Sequence, residues 1–249
     1  MSGGKISAVG IGPGVPAMLT DQARQALAAA EVVVGYRPYV EQIAFALADQ
    51  EVVSTGMRGE VERCRRAVAL AAAGKRVAVV SSGDAGVYGM AGLLLELLAA
   101  AGREDIGFEV IPGITAASLA AAVLGAPLMN DFVVISLSDL LTPREEIRRR
   151  LAAVMPTELV CVLYNPRSRS RQELFAETLA GFRAARGPQT LAGLVKNAGR
   201  PGQETWVGEL AALPVSQVDM VTVVVIGNQA TTLLAGRLVT RRGYRLGGS

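Results

Sequence analysis

Ser81-Ser82-Gly83-Asp84-Ala85-Gly86-Val87-Tyr88-Gly89 follows the apolar run Val77–Ser81 and combines hydroxyl, carboxylate and glycine. In open α/β sheets ligands bind outside the carboxyl ends of strands, where this segment falls. Its glycines let backbone approach a ligand, and Asp84 can accept hydrogen bonds from hydroxyls or an amine. The same residues also fit an ordinary strand-to-helix turn with Asp84 as a cap. Pro112-Gly113-Ile114-Thr115-Ala116-Ala117 repeats the arrangement. There Thr115 is either a plain N-cap or part of a helix terminus offering donors to an anion. Asn165-Pro166-Arg167-Ser168-Arg169-Ser170-Arg171 sets three arginines at alternate positions before a helix. It reads as a solvated loop or as a clamp for carboxylates.

Gly10-Ile11-Gly12-Pro13-Gly14 resembles a dinucleotide loop only superficially. Val15 stands where a third glycine belongs, and Pro13 removes an N–H that a phosphate cradle needs. No GK[ST] sequence is present, which excludes a P-loop. The chain has no histidine, so His-based nucleophile activation, imidazole bases and His-ligated zinc are excluded. Cys64 and Cys161 lack partners at metal spacing and read as buried thiols in a reducing compartment. No metal site is expected. A net charge of +3 suits an anionic small molecule without demanding nucleic acid. With 4 % aromatic residues, no stacking motif accompanies the arginine loop.

The elements that must position these segments follow from hydrophobic patterning. Ile6–Ile11, Val32–Val34, Val52–Ser54, Val77–Ser81 and Phe108–Ile111 read as strands. Their nearly continuous Val, Ile and Ala predict parallel strands covered on both faces. Ala23, Ala26, Leu27 and Ala30 follow helical spacing, as do Val61, Cys64, Val68 and Ala71, with polar residues on the other face. A linker is expected around Gly125–Asp131. A second set of strands follows at Phe132–Ser136, Leu159–Tyr164, Thr190–Val195, Thr205–Val207 and Val221–Ile226. Thr142-Pro143-Arg144-Glu145 places a capping Thr142, Pro143 at the first helical position and Glu145 at N3. Ser170-Arg171-Gln172-Glu173 repeats the capping box. The expectation is two α/β domains, 1–126 and 127–249. No secretory signal is expected at the start of the chain. The apolar stretch Ile111–Met129 is broken by Pro and Gly, leaving a helix from Thr115 to about Leu124, too short for a bilayer. A cytoplasmic location without membrane contact is expected.

Taken in order, these segments resemble the tetrapyrrole (precorrin) methyltransferase family over nearly the whole chain. The residues that carry the resemblance are GIGPG with LTDQARQAL (10–14, 19–27), VVVGYRPYV (32–40), SSGDAGVYGMAGL (81–93) and NDFVVISLSDLLTP (130–143), then LYNPRSRSR (163–171), LVKNAGRPGQ (194–203) and DMVTVVVIGN (219–228). The resemblance implies two α/β domains with S-adenosylmethionine (SAM) in the cleft between them, not a Rossmann methyltransferase, and a homodimer. Carried over residue by residue, it implies SAM contacts at Gly83, Asp84, Val87, Thr115 and Ala116. From the second half it adds Leu163, Tyr164, Asn165, Ala198 and Thr222.

The resemblance also turns the 10–14 loop toward the tetrapyrrole, giving Gly12 and Pro13 as substrate contacts. Arg37, Arg167 and Arg169 are candidates for the substrate's carboxylates. Its ring-contracting branch implies methylation of precorrin-3B at C17, giving precorrin-4; a different precorrin position or a cobalt-containing intermediate is the alternative. Contraction calls for a base near a ring-carbon hydroxyl, for which Tyr36, Ser138 and Asp139 are candidates; Ser138 and Asp139 equally suit a turn cap. Two departures stand out. The uroporphyrinogen methylases carry an Asp and a Lys where this chain has Tyr36 and Met57, and Arg144 replaces an expected Trp. The short chain has no room for an added iron–sulfur module, which favours the metal-free route.

Overall fold

The structure, a computed structural model, describes residues 4–168 and 172–245. The chain divides into two compact units, Met1–Ala116 and Ala117–Ser249. The expected boundary at 126/127 lies beyond the helix that opens the second unit.

In the first unit β1 (Lys5–Gly10), α1 (Asp21–Ala29), β2 (Val32–Tyr36), α2 (Arg37–Gln42), β3 (Glu51–Thr55), α3 (Glu60–Ala72), β4 (Arg76–Ser81), α4 (Ala91–Ala100) and β5 (Gly107–Ile111) follow one another. The five strands form one parallel sheet in the order β3-β2-β4-β1-β5. Alternate side chains along each strand enter different layers. Ile6, Ala8, Val32, Val34, Val77 and Val79 pack with α3 and α4. Val9, Val33, Ala78 and Val80 pack with Ala23 and Leu27 of α1 and with Val40 and Ile43. Both faces are therefore covered, which is why the strands read as unbroken apolar runs.

This layering sets the site. The chain leaves β1 toward the α1 face and β4 toward the α4 face, yet β1 and β4 are neighbours. Adjacent strands whose connections diverge leave a crevice at their carboxyl ends, the usual ligand position in such sheets.

The second unit opens with α5 (Ala116–Leu124, its first residue closing the first unit) and β6 (Gly125–Ala126). β7 (Phe132–Ser136), α6 (Arg144–Val154), β8 (Val160–Tyr164), α7 (Glu173–Arg186), β9 (Leu191–Lys196), β10 (Glu204–Glu209) and β11 (Thr222–Ile226) come next. Their sheet has the order β10-β9-β11-β8-β7, in which only β7 and β8 run parallel. Leu174, Phe175, Leu179 and Phe182 of α7 and Ile147 and Leu151 of α6 fill its core.

β12 (Thr231–Leu234) and β13 (Arg237–Thr240) form a hairpin that adds to β6. Sequence patterning gave no sign of these three strands, and β6 occupies part of the expected linker.

Two local expectations change. α6 begins at Arg144, not Pro143: Pro143 holds the N-cap position, and its carbonyl accepts the Glu146 and Ile147 amides. Thr142 therefore lies outside the helix. α3 buries Arg63, Cys64, Ala67, Val68 and Ala71, while Val61 is exposed, so its buried face is rotated from the expected one. The Ser170 capping box lies outside the described residues. Both cysteines are buried free thiols. Burial pushes Cys64 up to about 11 and Cys161 up to about 12, which makes them poor nucleophiles.

Candidate functional site

At the carboxyl edge of the first sheet three loops meet backbone to backbone. The Gly12 amide donates to the Gly83 carbonyl at 2.9 Å, and the Gly83 amide returns the bond to Gly12 at 2.8 Å. The loops after β1 and β4 are thus stitched across the crevice. A methyl group on Gly10 would sit 2.6 Å from the Gly113 nitrogen and 2.8 Å from the Gly83 carbonyl oxygen. Only glycine permits this approach.

Asp84 draws in the third loop. One carboxylate oxygen accepts the Gly86 amide at 2.8 Å, closing its own turn; the other accepts the Gly113 amide at 3.0 Å. The sequence offered Asp84 as a ligand acceptor or a cap; here it ties the loop after β4 to the loop after β5. Ser81, the first residue of this segment, accepts the Met90 amide through its hydroxyl at 3.1 Å and closes the far end of the loop.

The ties leave a defined stretch open. Gly86, Val87 and Tyr88 are exposed, with Tyr88 at φ 54°. Gly83, Asp84, Thr115 and Ala116 are half-buried beside them. Gly12 and Pro13 are buried. Tyr36 ends β2 half-buried, its ring edge-on to Tyr39 at 5.1 Å. Its hydroxyl makes no hydrogen bond among the described residues. Arg37 begins α2 and is exposed.

The second unit builds its loops with side chains. Ser136 is a hub that the sequence did not single out. Its hydroxyl accepts the Ser138 amide at 3.2 Å and the Asn165 side-chain amide at 3.0 Å, linking the ends of β7 and β8. Asn165 holds φ 50°, a conformation Asn tolerates better than most residues. The Tyr164 hydroxyl accepts the Ala117 amide at 2.5 Å, satisfying a donor in the first turn of α5. Leu163 is core, paired with Val224 and Ile135, so any ligand contact from it runs through backbone. Ala198 lies in the turn after β9, between Asn197 at φ 50° and Gly199 at φ 70°.

Thr222 is buried and donates to Asp219 at 2.9 Å, and Asp219 in turn meets Lys196 at 3.0 Å. Burial alone would raise Asp219. The Lys196 ammonium, the Thr222 hydroxyl and the Val221 amide outweigh it and hold the carboxyl below its ordinary range. Asp139 is not free: Arg144 pairs with it at 3.1 Å and reaches Glu173 at 3.3 Å. Here Arg144, the departure from the expected Trp, serves as a clamp on this loop. Arg167 donates to the Val215 carbonyl and the Gln172 side chain, both at 2.8 Å, and lines a cavity of about 430 Å³ with Asp219 and Met220. Arg169 lies outside the described residues.

Comparison with known proteins fits this construction. The family model of the Tetrapyrrole (Corrin/Porphyrin) Methylases matches residues 5–214. A "Probable cobalt-factor III C(17)-methyltransferase" of Salmonella typhimurium is 47 % identical over 241 residues, 97 % of this chain and 100 % of that protein. A "Precorrin-3B C(17)-methyltransferase" of Sinorhizobium sp is 36 % identical over 242 residues, 96 % of this chain and 93 % of its own length. The crystal structure of the methyltransferase CobJ superposes with a TM-score of 0.91 at 38 % identity, covering 96 % of this chain and all of that one. A Thermus thermophilus uroporphyrin-III C-methyl transferase complexed with S-adenyl homocysteine follows at TM-score 0.70 and 25 % identity, over 90 % of this chain and 97 % of that one. End-to-end identity on the same fold leaves one assignment: the chain belongs to the tetrapyrrole (corrin/porphyrin) methylase family.

Proposed function

We propose that this chain transfers a methyl group from SAM to C17 of a precorrin-3-stage tetrapyrrole, with contraction of the macrocycle, in cobalamin biosynthesis. The observation that carries the reading is the 47 % identity across the full length of a relative named for that reaction. That relative is fully covered by this chain, so short length is no argument for a metal-free acceptor. The acceptor is read as precorrin-3B or its cobalt-bearing counterpart, and the higher identity favours the latter.

When bound, SAM supplies a methyl group on a positively charged sulfonium. The proposed donor contacts are Gly83, Asp84, Val87, Thr115 and Ala116 in the first unit and Leu163, Tyr164, Asn165, Ala198 and Thr222 in the second. Supporting the first set, Gly83, Asp84, Thr115 and Ala116 are half-buried beside exposed Val87, and the Asp84 carboxylate fixes their loops by accepting the Gly86 and Gly113 amides. Val87 and Ala116 solvate a cation poorly, which favours a step in which positive charge disperses. Holding donor and acceptor in line can supply roughly 7–11 kcal/mol of the barrier without a strong base.

Gly12, Pro13, Arg37, Arg167 and Arg169 are the proposed acceptor contacts. Among the candidates for proton transfer, Asp139 is committed to Arg144, whereas Tyr36 and Ser138 keep unbonded hydroxyls among the described residues. A phenol exchanges protons far more readily than an alkyl hydroxyl, so Tyr36 is the favoured group. No helix among the described residues is long and apolar enough to cross a membrane. A cytoplasmic homodimer without nucleic-acid partners completes the reading, and sedimentation tests the dimer.

Calorimetry with SAM and S-adenosylhomocysteine, then incubation with each acceptor form, tests the proposal. Binding of both nucleosides and a spectral change with either acceptor is expected. No heat from either nucleoside would defeat it.

A further inference from the structure

Arg63 lies in the first turn of α3 and is 3 % exposed. Nε donates to Thr55 Oγ1 at 2.9 Å and Nη2 to the Gly56 carbonyl at 3.2 Å, while among the described residues Nη1 meets only the Met90 sulfur at 3.9 Å. The Tyr36 ring centre lies 5.9 Å from the guanidinium carbon. Among the described residues no carboxylate pairs with it. A buried cation without a counter-charge is costly, and the positive end of a helix adds to the cost.

Arg186 shows what a structural arginine looks like in this chain. It sits in the last turn of α7, where the helix dipole favours a cation, and donates to the carbonyls of Val154, Met155 and Gly227. Arg63 has one carbonyl, one hydroxyl and a thioether, at the wrong end of its helix. Its neighbours place it at the ligand edge of the sheet. Tyr36 ends β2, Thr55 ends β3, Gly56 follows, and Met90 closes the loop after β4. The cover is thin: Gly56 and Met57 are exposed, Tyr36 and Met90 half-buried.

We propose that Arg63 anchors a carboxylate of the acceptor, which displaces the Gly56 carbonyl and the Met90 sulfur and pairs with the Nη1/Nη2 edge of the guanidinium. A forked pair of this kind is the strongest contact an arginine makes with an acid. The proposal rests on the tetrapyrrole reading above and adds a residue that sequence patterning had turned outward.

The test measures binding of cobalt-factor III and precorrin-3B without methyl donor, by visible absorption, to the full chain and to Arg63→Met and Arg63→Lys. Melting temperatures are taken alongside. Arg63→Met is expected to bind about tenfold or more weakly. It should melt no lower than wild type, because methionine keeps an apolar stem and removes an uncompensated charge. A structural role predicts the reverse, a lower melting temperature with unchanged affinity, and that result would overturn the anchor. If Arg63→Met does not fold, Arg63→Lys decides: weaker binding by the folded variant supports the proposal, wild-type affinity overturns it. A wild-type chain that binds neither acceptor would overturn the tetrapyrrole reading and this proposal together.

Discussion

The loops after β1, β4 and β5 and the segments after β7, β8 and β9 are built by opposite means. In the first unit backbone meets backbone: Gly12 with Gly83, Gly10 against Gly113, and a single carboxylate, Asp84, accepting two amides. In the second, side chains bridge the gaps: Ser136 to Asn165, Thr222 to Asp219 to Lys196, and Asp139 to Arg144. The first construction holds its shape to within a methyl group. The second gives way residue by residue, because each side-chain tie can be lost singly.

The comparison breaks first at its tightest point. Gly113→Ala drives a methyl group into the Gly83 carbonyl, and about 3 kcal/mol of stability should be lost in urea unfolding. Unchanged stability would mean the loops are not locked. Asp84→Asn keeps one acceptor but turns an amide toward the Gly113 N–H, so about 1–3 kcal/mol should go, together with SAM affinity in calorimetry. Loss of affinity at full stability would mean that Asp84 serves SAM by contact alone and does not lock the loops.

Asp219→Asn should cost about 1 kcal/mol, mainly through its bonds to Thr222 and Val221, since the Lys196 pair is half exposed and screened by salt. The Asp219 carboxyl is lowered on folding, so its contribution is present above the unfolded carboxylate's pKa and lost as pH falls through the folded value. The gap between wild type and variant should therefore close in acid and stay constant near neutrality. Arg167→Ala removes a half-buried guanidinium that, among the described residues, bonds only to neutral oxygens. Stability should move by less than about 1 kcal/mol, while acceptor KM rises more than kcat falls. An unchanged KM would remove Arg167 from the acceptor surface.

How far sequence carried varied with the kind of tie. The five parallel strands and β7–β11 were legible because Val and Ile runs bounded by Gly and Pro leave little choice. β12 and β13 were not: their turn is Ala235-Gly236 rather than Asn-Gly, and Ala235 takes φ 48°, which alanine rarely adopts. Asp84 was legible as a loop acid, but its partner Gly113 lies beyond any local pattern. Arg63 was missed for a physical reason. Helical spacing assigns arginine to the wet face, and only the assembled sheet shows that α3 turns that residue inward.

Methyl-labelled SAM offered with cobalt-factor III or precorrin-3B tests the central claim most directly, by locating the label in the product through carbon NMR and counting S-adenosylhomocysteine released. One labelled methyl at C17 of a contracted ring, matched by one S-adenosylhomocysteine, is the predicted result. Label at another ring carbon, or no S-adenosylhomocysteine with either acceptor, would contradict the account.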